Sequence, residues 1–143
     1  MSVKQISVFL ENKKGRLLAV TESISRKNIN IRALSLADTS DFGILRMIVD
    51  QPDLALKILR EDGFTVSMND VIAVEMSDAP GGLYAILQAM DETDVNVEYA
   101  YAFCDSKPDR AIVIFRVEKQ DHATAVLLSR GIQVLEGDTL YNL

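Results

Sequence analysis

Glu11-Asn12-Lys13-Lys14-Gly15-Arg16-Leu17 decides the fold of this chain, because sixty-six positions on the sequence reads Ser77-Asp78-Ala79-Pro80-Gly81-Gly82-Leu83. Each copy follows a strand-like run, Ile6-Ser7-Val8-Phe9-Leu10 in the first and Val71-Ile72-Ala73-Val74-Glu75-Met76 in the second. Each then opens a segment with helical apolar spacing, so each is a strand-to-helix turn. At such a turn the first N–H groups of the helix lack intrahelical partners and point outward, which makes a seat for an anion.

Outward from the first turn, Leu17, Val20 and Ile24 fall on one face and predict a helix that stops near Asn28. Ile29-Asn30-Ile31 starts a strand through Leu34 and Leu36, and Asp38-Thr39-Ser40-Asp41 reads as a hairpin turn. Ile44-Leu45-Arg46-Met47-Ile48-Val49 is the returning strand. Pro52 suits a helix start, Ala55, Ile58 and Leu59 give that helix its apolar stripe, and Gly63 stops it. Phe64-Thr65-Val66-Ser67-Met68 makes a fourth strand, and Asn69-Asp70 marks the joint between the two halves.

The second half repeats the plan residue by residue. Gly15, Leu17, Ile29, Asn30 and Ile31 recur as Gly81, Leu83, Val95, Asn96 and Val97. After a hairpin two residues longer, Ile44, Val49, Gly63 and Val66 meet Ile112, Val117, Gly131 and Val134. The expected class is therefore α+β: two ferredoxin-like βαββαβ repeats, residues 1–70 and 71–143, each an antiparallel sheet with its helices on one face. Ile44-Leu45, Met47-Ile48-Val49 and Ala111-Ile112-Val113-Ile114-Phe115 are apolar at consecutive positions, so both faces of these strands should be dry. Helices cover one face. The other is expected to pack on a sheet of a second copy, giving a homodimer.

The 143 residues are 48% hydrophobic and 25% charged, an ordinary globular composition, and the net charge of −6 argues against nucleic acid or an anionic membrane as partner. Cys104 is the only cysteine, which excludes an intrachain disulfide and fits a reducing cytoplasm. No apolar run approaches the roughly 18 residues of a membrane helix, and Met1 leads into a strand pattern rather than a signal peptide. Tyr99, Tyr101 and Phe103 alternate along one strand face and read as packing, since RNA-binding sheets carry their aromatics on central strands that here are aliphatic. His122 begins a helix among polar residues with no evident triad or metal partner, and the carboxylates are scattered. Neither a metal nor another cofactor is expected.

A strand, a short loop closing in Gly and Leu, a helix, and an apolar-Asn-apolar triplet opening the next strand together resemble the ACT domain, a regulatory amino-acid-binding module. The resemblance covers the whole chain as a tandem pair. It implies side-by-side pairing and a small ligand, usually an amino acid, held where the loop of one unit faces the strand edge of another. It carries the family's loop glycine onto Gly15 and Gly81, its strand-opening asparagine onto Asn30 and Asn96, and its polar loop residue onto Asn12. Lys14 stands where the family commonly has proline, kept here as Pro80, and Asp78 takes the place of Asn12.

The candidate ligand-binding residues are thus Asn12, Lys13, Lys14, Gly15, Arg16, Leu17, Asn30 and Ile31 in one half, and Asp78, Gly81, Gly82, Leu83, Asn96 and Val97 in the other. N–H groups at Gly15, Arg16 and Leu17 would take a carboxylate, each charge-assisted hydrogen bond being worth about 1.5–3 kcal/mol when desolvated. The ammonium would go to the amide oxygen of Asn30 or Asn12. Three functions stay open on these residues. One is a non-catalytic sensor that controls a partner protein. The others are an acylphosphatase-like hydrolase using Arg16 and Asn30, and an assembly module without a ligand.

Overall fold

The computed structural model describes residues 2–38, 41–105 and 107–143. The chain runs β1 (Val3–Glu11), α1 (Arg16–Ser25), β2 (Ile31–Asp38), β3 (Phe42–Val49), α2 (Pro52–Glu61) and β4 (Thr65–Ser77). It continues with α3 (Gly82–Asp91), β5 (Val97–Cys104), β6 (Arg110–Val117), α4 (Gln120–Ser129), β7 (Val134–Leu135) and α5 (Gly137–Tyr141). The expected turn at Thr39 and Ser40 lies outside the described residues. Two compact units emerge, one of residues 4–69 with Asn142, the other of Ser2 and Val3 with residues 70–141 and Leu143.

In the first unit the strand order is β2-β3-β1-β4. β3 is antiparallel to both neighbours, with Val8 opposite Leu45 and Leu36 also opposite Leu45. Alternation along the strands puts Ile6, Val8, Leu10, Leu45, Met47 and Val49 on one face, where they pack with Val20 and Ile24 of α1 and Ala55, Ile58 and Leu59 of α2. The helical spacing read from the sequence is the spacing of that contact.

The second unit repeats this with β4-β6-β5 and the short β7 on β4. Val74 lies opposite Val113, and Ala100 and Ile72 both lie opposite Phe115. Ile72, Val74, Val113, Phe115 and Val117 pack with Ile86, Ala89 and Met90 of α3 and with Ala123 and Leu127 of α4. Both halves are α+β units with antiparallel sheets, as the repeat implied.

The joint at Asn69-Asp70 falls inside β4, one continuous strand of 13 residues, and the two compact units divide there. Its polar side chains are satisfied in place. Ser7 Oγ donates to Asn69 Oδ1 at 3.0 Å, and Ser2 Oγ donates to Asp70 Oδ1 at 2.9 Å. Ile48, Ile112 and Ile114, in runs expected to be dry on both faces, are fully buried, as is Ala73, while Phe9 and Phe42 stay half exposed.

Ser7 has a further neighbour, because fully buried Gln5 donates from Nε2 to its hydroxyl at 3.1 Å. Ser7→Ala would leave a buried donor and the Asn69 acceptor each short of one partner. It is expected to lower unfolding free energy by about 1–3 kcal/mol in urea. An unchanged midpoint would show that the relay contributes nothing.

Candidate functional site

β1 delivers the chain to residues 12–15 and α1 carries it away, while β4 and α3 do the same for residues 78–81. Gly15 and Gly81 sit at φ 89° and 88°, in the left-handed region, and a Cβ at either would meet nothing within 4 Å. It is the backbone angle, not crowding, that asks for glycine here. Neither α1 nor α3 has a side-chain cap.

The first amide of each helix is less open than the sequence suggested. The Arg16 N–H is donated to the Lys13 carbonyl at 3.3 Å and the Gly82 N–H to that of Ala79 at 3.0 Å. Among the described residues no such partner falls to the amides of Leu17 and Leu83.

The side chains around the two turns differ. Lys13 Nζ pairs with Glu11 Oε2 at 2.8 Å. The hydrogen bond from Lys13, then its charge, with a smaller contribution from Arg16, holds the Glu11 carboxyl below its ordinary range. Lys14 is exposed, as is Asn12, whose N–H donates to the Asp41 carbonyl at 3.0 Å. The Arg16 guanidinium lies 5.2 Å from the centroid of the Phe64 ring with Nε buried, so its flat face is given to packing. That presentation is poor for gripping a phosphate. Asp78, in the second turn, donates its N–H to the Asp109 carbonyl at 2.8 Å.

The strand-opening asparagines are both exposed. Asn30 donates its N–H to Asp50 Oδ1 at 2.9 Å and accepts the Asp50 N–H at 3.1 Å, which ties the start of β2 to the end of β3. Asn96 accepts the Glu118 N–H at 3.4 Å. Ile31 and Val97 come directly after them, in register with Val49 and Val117. The hydrogen bonds of Asn30 run to Asp50 and not to the turn.

One charged group went unread in the sequence. Glu75, Lys107 and Arg110 come together in the second unit, with Arg110 Nε 2.8 Å from Glu75 Oε1 and Lys107 Nζ 4.0 Å from it. A signal was there, since the repeat puts Phe9 opposite Glu75 and Phe42 opposite Arg110 in the alignment of the halves. Among the described residues no group of His, Cys, Asp or Glu is placed to hold a metal, and no helix is long and apolar enough to cross a membrane.

The family model described as an ACT domain pair matches residues 1–143. A crystallised protein from Bacteroides thetaiotaomicron is similar at 40% identity and TM-score 0.94, covering 100% of this chain and 98% of that one. The ligand-free regulatory subunit of aspartate kinase from Thermus thermophilus shares the fold at 18% identity and TM-score 0.68, with 92% of each chain covered. Its counterpart from Thermus flavus does so at 17% and 0.65, with 90% of each covered. No curated protein matches the sequence.

Proposed function

The chain belongs to the ACT-domain-pair family, and from that premise we propose that it is a non-catalytic sensor binding a free amino acid at the turns that open α1 and α3. ACT domain pairs are regulatory modules. Residues 1–70 and 71–143 would be its two domains, working in the cytoplasm, where the lone Cys104 remains a thiol.

One observation carries the reading: the same left-handed glycine precedes the same uncapped helix in both halves, at φ 89° and 88°. The ligand carboxylate would take the amides at Gly15 and Leu17, with the helix dipole adding about 0.3–1 kcal/mol. Its ammonium would find the side chains of Asn12 and Asn30, and in the second half Asp78 and Asn96. Binding of this kind regulates only if it favours one assembly over another. Exposed Leu17 and Leu18 on α1, with Leu34 and Leu36 on the edge strand β2, offer a surface for a homodimer or a controlled protein.

Thermal-shift screening against the twenty amino acids tests it. A ligand at 100 times its Kd should stabilise the chain by about 2.7 kcal/mol. No response to any of them would leave an assembly module instead. Acetyl-phosphate hydrolysis that disappears in Arg16→Ala would establish the hydrolase.

A further inference from the structure

A cleft of about 630 Å³ opens in the second unit beside the end of β4. The Glu75 side chain on its wall is only 10% exposed, and the Glu75 N–H is pinned to the Gln133 carbonyl at 2.9 Å. A carboxylate so placed stabilises a fold little, because desolvation offsets most of its attraction to Arg110. Nor does the fold need it. In the first unit the matching strand positions hold Phe9, opposite Ile44 as Glu75 is opposite Ile112, and Phe42. Two copies of one architecture thus carry an aromatic pair in one and an ion pair in the other.

We propose that this cleft binds a free amino acid with an aliphatic side chain, its carboxylate on Arg110 and Lys107 and its ammonium on Glu75. The ligand class is that of the sensor reading, on which the inference rests for that class alone; the cleft borders the second turn at Gly82, but the groups that would hold the ligand lie on β4 and at residues 107 and 110. Arg110 meets Glu75 through Nε, which holds the guanidinium still and leaves its Nη groups for a carboxylate. Both ion contacts of Glu75 fall on Oε1, among the described residues, and leave Oε2 for an ammonium. Met76, Ile86 and Ile132 line the same cleft and supply apolar walls for the side chain. Opposite charges fixed beside an apolar wall match a zwitterion better than they match either a bare acid or a bare amine.

The test is a titration of the ¹⁵N-labelled full chain, monitored by NMR, with L-leucine, with 4-methyl-2-oxopentanoate, which lacks the ammonium, and with leucinamide, which lacks the carboxylate. Leucine is expected to shift the Arg110 Nε–H and the amides of Gln133 and Thr139, and the two incomplete probes to bind about tenfold or more weaker. The double variant Glu75→Gln with Arg110→Gln avoids a lone buried charge and should weaken leucine by about tenfold or more. Lys107→Ala, at an exposed position, gives a second reading should the double variant fail to fold, and should weaken leucine by about threefold. Leucine shifts confined to residues 12–18 and 78–81 would overturn the cleft and keep the sensor. Equal binding of the oxo acid, or unaltered binding in the variants, would overturn the cleft site as described. No shift with any probe would overturn it too, while the sensor would then stand or fall on the remaining amino acids.

Discussion

Phe115→Ala is expected to lower the free energy of unfolding by about 3–5 kcal/mol, measured in urea. Phe115 is fully buried on β6, opposite Ile72 on one side and Ala100 on the other. Truncation there removes the transfer free energy of a ring and opens a hole that α3 and α4 can collapse into only in part. The repeat supplies the control. The matching position of the first half is Met47, also fully buried. Phe115→Met should therefore cost less than about 1.5 kcal/mol, as volume-conserving exchanges do. If both variants unfolded at the same denaturant concentration, the second unit would not be built around this residue.

Gly82→Ala comes next, at about 2–3 kcal/mol. A Cβ there would land on the Ser77 carbonyl oxygen, and since that neighbour is backbone, the turn itself must move. Gly81→Ala has open space and pays only for its positive φ, about 1–2 kcal/mol. The same position in the first turn is Arg16, which carries a side chain, so that turn must hold Glu11 further from its helix than this one holds Ser77. The Gly82 variant should lose any ligand at residues 78–83 and leave the first turn intact, and a stability equal to wild type would show that Ser77 does not press on Gly82.

How much of this was legible depends on the reach of each signal. Helices α1 to α4 and their strands rest on local periodicity, and Asn28, at φ 59°, ends the first helical segment where the spacing of Leu17, Val20 and Ile24 runs out. The paired glycine turns were legible because a left-handed angle restricts residue choice at one position. What escaped depends on partners far along the chain. That the joint at Asn69 and Asp70 lies within one continuous strand, with Ser7 and Ser2 hydrogen-bonded beside it, is one such case. The short α5 has too few residues to show a period, and the Glu75 cluster joins positions 32 and 35 residues apart. Of the candidate site, the paired glycine turns were readable, whereas the side-chain commitments of Lys13 and Arg16 and the backbone ties of Asn30 to Asp50 were not.

Ser2 hydrogen-bonds to Asp70 and its carbonyl lies against Gly137. Residues 2 and 3 are thus seated only after residues 70 and 137 have been made, and the order of synthesis runs against the order of assembly. Cutting the gene at the repeat boundary would sever β4 and leave Ser2 and Val3 behind, so a half expressed alone should be a ready substrate for proteases.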